Sequence, residues 1–430
     1  MNTLAISKQS NKHAIFIIGV LFFIFGFVTW LNGTLIPFLK IICELQTDTQ
    51  AFFVVTASYM AYFFLAIPAS YILKKTGYKN GMALGLAIMM IGTILFLPAA
   101  TTRNFGLFLS GLFLQGAGLA LLQTAANPYI SILGPIESAA KRISIMGISN
   151  KLAGVISPLI LSTLLLGNIE IVERGLTTDI SLSEKIVLLN ELANKIKAPY
   201  IIMAIVLLGL AIIIFQSSLP EIKDTEQSNQ TKEANTIYKS IFSHTHLWIG
   251  VLSIFLYVGT EVLAGDAIGI YGNAMGIPLN ETRYFTSFTL TGMLIGYVAG
   301  IITIPRYISQ QGALTLCALS GIAFTIAIYL SHGYLAIMFI AMLGLSNSLM
   351  WPAIFPLAID GLGSKTKIGA AFLIMGIAGG AILPLIFATL KHVPQIGYKL
   401  AFFACLLPAY SFILFFSVKG YKLGKIIAEK

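Results

Sequence analysis

Residues 154–160 read GVISPLI, and residues 380–386 read GAILPLI. The two heptapeptides share the pattern GxIxPLI and lie 226 positions apart (380 minus 154) in a chain of 430 residues. Each lies inside an apolar run, 143–166 and 367–390, and about 20 such residues suffice to cross a bilayer. A repeat at this distance indicates two similar halves, each carrying the same membrane-spanning element.

The composition supports a membrane protein. Hydrophobic residues make up 57% of the chain and charged residues only 10%, with a net charge of +10. A soluble domain carries about a quarter charged residues, and a disordered chain is poor in apolar ones. The basic residues are scattered in short groups between apolar runs, which argues against a nucleic-acid partner despite the positive charge.

Twelve apolar stretches are long enough to span a membrane, and they predict an all-α protein. We number them as spans 1 to 12: 14–38, 51–73, 81–99, 105–133, 143–166, 199–217, 247–272, 284–304, 313–331, 334–359, 367–390 and 398–418. The first is too long for a signal peptide and lacks a small-residue cleavage pattern, so we keep it as a span.

The basic residues also predict the orientation. With both termini in the cytoplasm, 18 of the 27 lysines and arginines lie on the inner side, as the positive-inside rule requires. We expect a multi-pass monomer in the lipid of the cell's inner (plasma) membrane. It would comprise an N-terminal six-helix half (1–217) with a long outer loop (167–198), a cytoplasmic linker (218–246) and a C-terminal half (247–430). An amphipathic helical pattern occupies 181–197 of the outer loop.

Two further matches support the duplication. Asn127-Pro128 in span 4 pairs with Trp351-Pro352 in span 10 at an offset of 224, which places Gln123 on Asn347. The loop after span 2 matches the loop after span 8 at an offset of 231 (Gly81 and Gly312). Two pseudo-symmetric six-helix halves in parallel are the plan of the major facilitator fold, whose substrate site lies near mid-membrane between the halves.

The motifs resemble a particular branch, the fucose/glucose/galactose permease family. They are FGFVTWLNGTLIPFLK (25–40), LLQTAANPYISILGP (121–135), NKLAGVISPL (150–159), YVGTEVLAGD (257–266), WPAIFPLAIDGLG (351–363) and LIMGIAGGAILP (373–384). The resemblance implies import of a monosaccharide coupled to protons in fucose permeases and to sodium in some glucose/galactose members. Some close relatives carry N-acetylglucosamine.

Two residues depart from the fucose branch. That branch has an aspartate in span 1 where this chain has Gly33, and a glutamate in span 4 where it has Gln123. The resemblance therefore favours a hexose or an N-acetylhexosamine over fucose. An exporter of drugs or other metabolites on the same fold is the alternative, and a more apolar cavity with fewer amides would favour it.

Polar residues within the spans are the candidates for binding sugar. Gln123 and Asn127 are four residues apart and share a helix face, and the same spacing relates Asn347 and Trp351. Amides both donate and accept hydrogen bonds, as sugar hydroxyls do. The further candidates are Asn150 and Asn32 as hydrogen-bonding groups and Trp30 and Trp351 as stacking surfaces. Lys151 has two open interpretations, a cavity residue or a side chain that reaches the inner surface.

Two acids in span 7, Glu261 and Asp266, are the candidates for the coupling-ion site, because ionisable groups at membrane depth are costly and usually functional. Either carboxylate would take a proton or bind sodium with backbone oxygens. Five residues on a regular helix turn by about 140° beyond one full circle, so the two acids face different directions unless the helix is broken. Glycines around them, such as Gly265 and Gly269, predict such a break.

Charged residues at the predicted inner ends are candidates for gating: Lys74, Lys75, Arg306 and Asp360. No HExxH, GxSxG or GxxxxGK[ST] motif occurs, so the sequence predicts no enzymatic activity, no cofactor and no metal site other than a possible sodium site at Glu261 or Asp266.

Overall fold

The computed structural model describes residues 2–132, 139–166, 181–217, 219, 241–304, 306–362 and 366–424. Helix is the only regular secondary structure in these ranges. The α-helices are Asn2–Thr29, Asn32–Ile42, Asp48–Ile94, Phe96–Thr102, Phe105–Ile132, Ala139–Leu166, Leu182–Asn194, Lys197–Gln216, Thr245–Gly265, Ile268–Ala274, Leu279–Thr282, Phe285–Thr303, Gln310–Leu330, Gly333–Asn347, Met350–Ile359, Thr366–Met375, Gly379–Leu390 and Gly397–Val418.

Twelve segments within the described ranges are long and apolar enough to cross a membrane, as predicted. Spans 1 to 12 are Ile15–Ile42, Thr49–Leu73, Lys75–Thr102, Phe105–Asn127, Ile143–Leu165, Leu182–Gln216, Thr245–Gly265, Leu279–Thr303, Gln310–Leu330, Gly333–Ile359, Ile368–Leu390 and Gly397–Val418. We call the end of the bundle where span 1 begins the terminal face, and the opposite end the far face.

The boundaries differ from the prediction where turns are tight. Spans 2 and 3 follow each other without a loop, and the chain reverses near the start of span 3 at Gly77, whose φ is 76° and ψ is 173°. Span 6 (Leu182–Gln216) consists of two helices, and the first, Leu182–Asn194, lies within the stretch where the amphipathic pattern predicted a helix. A capping box formed by Ser181 and Glu184 begins this helix. Most of the predicted linker and the first part of the predicted outer loop lie outside the described residues.

The predicted range of span 7 (247–272) is broken, as its glycines predicted, and we keep the name span 7 for the helix Thr245–Gly265 and the turn that follows it. The helix ends at Gly265, and the chain turns through Asp266 and Ala267 before a short helix begins at Ile268. Gly265 has a second reason to lack a side chain, because a Cβ there would lie 2.5 Å from Trp30 of span 1. The break places Asp266 at the end of a helix rather than inside one.

Span 10 is also broken, and proline is the physical reason. Its helix stops at Asn347 and resumes at Met350, with Pro352 just beyond the break. Proline has no N–H to donate to the carbonyl four residues earlier, and its ring crowds that carbonyl. Gln310 of span 9 stabilises the second segment, since its carboxamide donates to the carbonyls of Pro352 at 3.3 Å and Ala353 at 2.8 Å.

The two GxIxPLI motifs occupy equivalent positions between the halves. Gly154 of span 5 faces span 8, where a Cβ would lie 3.0 Å from Leu290. Gly380 of span 11 faces span 2, where a Cβ would lie 2.6 Å from Tyr59. The halves therefore meet along two seams, span 5 against span 8 and span 2 against span 11, and a small residue of the repeat lies in each seam.

Span 11 also packs closely against span 7, at Gly379. A Cβ at Gly379 would overlap the Phe255 carbonyl of span 7, whereas Gly209 of span 6 has nothing within 4 Å. We expect Gly379→Ala to destabilise the protein by at least the roughly 1–3 kcal/mol of an overpacked core. Gly209→Ala, which adds the same methyl group in open space, should cost nothing. Thermal unfolding of both variants in detergent tests this; equal unfolding temperatures would contradict the close packing.

Candidate functional site

A cavity lies between the halves and extends from mid-depth toward the terminal face. It has an empty volume of about 730 Å³ out to its mouth, within the range of small-molecule sites. Ile143, the first residue of span 5, lines it near the terminal face, and Trp30, Lys151 and Glu261 are the lining residues of their spans nearest the far face. This cavity thus lies on one side of mid-depth, and a second, larger space of about 1110 Å³ lies between the halves at the far face, lined by Lys40, Asn273 and Arg283 among others.

The strongest polar contact in this cavity crosses between the halves. Lys151 of span 5 and Glu261 of span 7 form an ion pair in which Nζ lies 2.5 Å from Oε1. Lys151 is 6% exposed and Glu261 is 7% exposed. Removing two charges from water is costly, and only a close, well-oriented partner compensates each of them.

Trp30 packs against this ion pair at the break in span 1, between the helices that end at Thr29 and begin at Asn32. The Lys151 ammonium lies 4.4 Å from the centroid of its ring, a cation–π contact. A Cβ at Gly154 would lie 2.6 Å from the indole, so glycine leaves room for it. Trp30 is only 2% exposed, and the ammonium covers the ring face that we expected a sugar to use.

The N-terminal half contributes three of the predicted amides to the cavity: Gln123, Asn127 and Asn150. The helix Phe105–Ile132 is continuous, so Gln123 and Asn127 keep a common face, and the Asn127 side-chain amide donates to the backbone carbonyl of Gln123 at 3.0 Å. The Gln123 carboxamide donates to the Tyr62 hydroxyl at 2.9 Å. These groups form a polar wall facing the C-terminal half.

The predicted counterparts in span 10 are separated by the helix break. Trp351 lines the cavity, and its ring stacks on Phe355 with centroids 5.6 Å apart. Asn347 is not among the cavity-lining residues; it is fully buried and accepts a hydrogen bond from the Tyr410 hydroxyl at 2.9 Å. The four-residue spacing of these two residues does not give a shared face, because the break lies between them.

The two acids of span 7 occupy different environments. Glu261 lines the cavity, whereas Asp266 is 1% exposed, lies at the break and is not among the cavity-lining residues. Asp266 lies within electrostatic range of the Tyr59 hydroxyl of span 2. The geometry thus brings only Glu261 together with the amides. Asn32 begins the second helix of span 1, and its side chain lies outside the described part of the chain.

The predicted gating residues lie at the terminal face. Lys75, Arg306 and Asp360 are exposed, and the Lys74 side chain lies outside the described part of the chain. Within the described residues, the Arg306 guanidinium contacts the Tyr307 ring at 5.2 Å, and the Asp360 backbone carbonyl hydrogen-bonds the His246 ring at 2.9 Å. None of the three described side chains, those of Lys75, Arg306 and Asp360, lines the cavity.

The sequence allowed two interpretations of Lys151, and it gave no basis for choosing the cavity tyrosines among the 17 in the chain. Tyr59, Tyr62, Tyr257 and Tyr297 all line the cavity. One usable signal was spacing, since Tyr257 precedes Glu261 by four residues and so shares its helix face. For Lys151, the signal was depth, because it lies eight residues inside span 5, which begins at Ile143. Lys151 was counted among the 18 basic residues of the inner side, but it lies inside the bundle and does not contribute to the orientation.

This arrangement suits binding and release rather than covalent chemistry. Amides and hydroxyls from several spans surround a space between two halves, and the breaks in spans 1, 7 and 10 lie beside it. Broken helices beside a central cavity between two repeats are characteristic of secondary transporters. Two six-helix halves with this architecture define a transporter of the major facilitator class.

Comparisons with known proteins support the assignment to the major facilitator class. The sequence model of the Major Facilitator Superfamily matches residues 18–386. The chain is 33% identical to a glucose/galactose transporter of Brucella abortus (98% of this chain, 97% of the relative). It is 31% identical to a putative glucose/galactose transporter of Helicobacter pylori (96% and 98%). The crystal structure of the Escherichia coli fucose:proton symporter superposes with a TM-score of 0.75 at 26% identity (95% and 98%). The chain belongs to the fucose/glucose/galactose permease family of that superfamily, as a multi-pass membrane transporter and not an enzyme.

The buried ion pair predicts an unequal response to single and double substitution. Lys151→Met leaves the Glu261 carboxylate buried without its cation, which should destabilise the protein by about 3–5 kcal/mol. Lys151→Met combined with Glu261→Gln removes both charges and should recover part of that loss. Thermal unfolding in detergent provides the measurement.

The matched control is an ion pair of similar length on the surface. Lys185 Nζ lies 2.6 Å from Glu44 Oε1, but the two side chains are 39% and 45% exposed. Lys185→Met should therefore cost less than about 1 kcal/mol. If Lys151→Met and Lys185→Met shifted the unfolding temperature equally, burial would not be the reason for the stability of the Lys151–Glu261 pair.

Proposed function

We propose that the protein imports a neutral hexose of the glucose/galactose type together with a proton, by alternating access of the cavity to the two sides of the membrane. The observation that carries this proposal is the chemistry of the cavity wall. Among the described lining residues, only Lys151 and Glu261 are charged, and they neutralise each other at 2.5 Å. An anionic or cationic substrate would find no unpaired countercharge there, whereas a neutral polyol needs none.

The remaining wall offers what a sugar needs. The Gln123 carboxamide donates to Tyr62 and leaves its carbonyl oxygen, to which no described residue donates, for a sugar hydroxyl. Asn150 is half-buried beside it. Trp351, also half-buried, presents an aromatic surface for the apolar face of a pyranose ring. Asn127 completes the amide group, and the number of amides argues against the apolar cavity expected of a drug exporter.

The type of sugar follows from sequence and relatives together. Gln123 and Gly33 stand where the fucose branch has acids. Identity is also higher to the Brucella abortus glucose/galactose transporter, at 33%, than to the Escherichia coli L-fucose-proton symporter, at 28%. We therefore place glucose and galactose first, with N-acetylglucosamine as the next sugar to test.

The environment of Glu261 favours a proton over sodium as the coupling ion. Sodium needs several oxygen ligands around it, and one oxygen of this carboxylate, Oε1, is already 2.5 Å from the Lys151 ammonium. A proton adds to the carboxylate without needing further oxygen ligands. The Escherichia coli relative is also named a proton symporter. We assign the coupling proton to Glu261 rather than to Asp266, which lies away from the cavity wall.

In the proposed orientation the terminal face, where span 1 begins and span 12 ends, is cytoplasmic. The cavity then opens inward, and Trp30, Lys151 and Glu261 separate it from the outside. Rocking of the halves about the two seams would open the far face and close the terminal face. The wall residues would move with their own halves. Both halves would therefore contact the sugar together only in the intermediate conformation, in which both faces are closed.

Sugar affinity should depend on Gln123 specifically. Gln123→Leu removes one hydrogen-bonding group of the wall, and we expect the dissociation constant for glucose or galactose to rise about tenfold. Sugar titration monitored by tryptophan fluorescence measures it, because Trp351 lies in the same cavity.

Gln115 is the matched control on the same helix. Its carboxamide donates to the Thr93 hydroxyl at 2.9 Å and is buried between spans 3 and 4. Gln115→Leu should lower thermal stability and leave sugar affinity unchanged. Equal affinities for Gln123→Leu and the parent protein would contradict the assignment of the cavity.

Coupling should depend on Glu261. In proteoliposomes, Glu261→Gln should retain exchange of labelled for unlabelled sugar, which needs no net proton movement, and should lose accumulation driven by a pH gradient. Asp266→Asn should retain both activities. Loss of accumulation in Asp266→Asn, with accumulation intact in Glu261→Gln, would reverse the assignment.

A further inference from the structure

We propose that the space between the halves at the far face is a second ligand site, which takes a small phosphate-type oxyanion and, by bridging the two halves, stabilises the conformation in which the far face is closed. We call this cavity of about 1110 Å³ the far-face space. The proposal concerns neither the sugar nor the coupling proton, so its test is separate from the tests of the proposed function.

The far-face space is distinct from the cavity that contains the amides. The described residues that line the two spaces do not overlap. Along span 1, Trp30 lines the first cavity and Ile36 lines the far-face space, and Leu31 and Leu35 between them are 2% and 1% exposed. Asn273, which also lines the far-face space, is exposed, so a ligand enters it from the far side.

Both halves contribute to the lining. Lys40 belongs to the second helix of span 1, in the N-terminal half. Thr282 and Arg283 belong to span 8, and Tyr398 belongs to span 12, all in the C-terminal half. A ligand that contacts Lys40 and Arg283 together therefore crosses the boundary between the halves.

The lining is electropositive. Among its described members the charged residues are Lys40 and Arg283, both half-buried, and none is an acid. Lys391, which is 4% exposed, adds a third positive charge behind Tyr398, with its ammonium 4.9 Å from the centroid of that ring. Each of these cations also has other contacts within the chain, so an oxyanion would join their existing partners. Partial burial strengthens the attraction between such charges and an anion.

The acids nearest in sequence to the two lining cations face other partners. Glu281 accepts a hydrogen bond from the Tyr334 hydroxyl at 2.6 Å. Glu44 contacts the Lys185 ammonium at 2.6 Å and the Arg103 guanidinium at 3.6 Å. Neither carboxylate lines the far-face space, so neither occupies the position of the proposed anion.

The donors in the lining suit a tetrahedral oxyanion. A guanidinium such as that of Arg283 donates to two oxygens at once, and an ammonium such as that of Lys40 adds a point charge. Thr282 is 1% exposed, and its hydroxyl has no hydrogen-bond partner among the described residues. Buried hydroxyls are nearly always hydrogen-bonded, and an oxyanion oxygen would supply that bond. A neutral sugar would satisfy the hydroxyl but would leave the positive potential uncompensated.

An oxyanion bound in this way acts on the conformation. Opening of the far face separates the halves there, so Lys40 and Arg283 contact one anion together only while the far face is closed. A ligand shifts an equilibrium toward the state that binds it more tightly. The bound oxyanion therefore opposes opening to the far side.

Inorganic phosphate is the probe for binding. In thermal unfolding of the full-length protein in detergent, at constant pH and ionic strength and without sugar, exchange of chloride for phosphate should raise the unfolding temperature in a saturable way. Lys40→Gln and Arg283→Gln should each raise the dissociation constant for phosphate about tenfold, because each removes a charge-assisted hydrogen bond. Lys185→Gln removes an exposed far-face cation outside the space and should leave that constant unchanged.

A cysteine reporter tests the bridging of the halves. Ser287 of span 8 is 3% exposed, and its hydroxyl donates to the Val155 carbonyl of span 5 at 2.9 Å, across a seam between the halves. With the three native cysteines replaced by serine, Ser287→Cys provides a single thiol that reacts with a maleimide when the seam opens. Phosphate at about four times its dissociation constant should slow labelling about fivefold. Labelling in Arg283→Gln should barely change.

The source of the phosphate group requires two arms of this labelling experiment. Nanodiscs of neutral lipid with inorganic phosphate in the medium test a soluble oxyanion. Nanodiscs that contain phosphatidylglycerol, without added phosphate, test a lipid headgroup. Slower labelling in either arm, abolished by Arg283→Gln, supports the site and identifies its source.

Unchanged unfolding and labelling in both arms would overturn the proposal, as would faster labelling with phosphate. Equal phosphate affinity in the parent protein, Lys40→Gln and Arg283→Gln would do the same. If Arg283→Gln does not fold, Lys40→Gln, in the other half, decides. Stabilisation by glucose or galactose that Lys40→Gln abolishes, without any effect of phosphate, would make the far-face space a sugar site and contradict the oxyanion.

Discussion

The structure depends on one buried ion pair placed where the two halves meet. Lys151 Nζ and Glu261 Oε1 lie 2.5 Å apart, both side chains are largely buried at the cavity wall, and removing either charge leaves the other buried without a countercharge. The two charges are therefore compatible with this depth in the bundle only while they remain in contact. It also leaves the rest of the cavity wall uncharged, which is the condition under which amides and hydroxyls can select a neutral ligand.

The helix breaks explain how this pair and the wall come to face one cavity. Span 1 breaks beside Trp30, span 7 breaks just beyond Glu261, and span 10 breaks before Trp351. Glycine accounts for the break in span 7 and proline for the break in span 10, where Gln310 from a neighbouring span donates to the carbonyls of Pro352 and Ala353. Irregular backbone at membrane depth is tolerated only where other groups satisfy it or where it lines a cavity, and both conditions occur here.

The sequence predicted the twelve spans, the duplicated plan, the break in span 7 and the polar face of span 4. These features depend on local chemistry: apolar length, repeated motifs, glycine content and helical spacing. The pairing of Lys151 with Glu261 was not predictable, because spacing fixes faces within one helix but not the rotation of that helix against another half. Helical spacing also fails where a helix is broken. The proline-induced break between Asn347 and Trp351 removes the shared face that their four-residue spacing predicted.

The central claim is that sugar and proton move together through this cavity. Its most direct test is the pH of an unbuffered medium around sodium-free proteoliposomes after addition of glucose or galactose. The account predicts a sugar-dependent rise in external pH in the parent protein and none in Glu261→Gln. Sugar entry without a pH change, or a strict requirement for sodium, would contradict it.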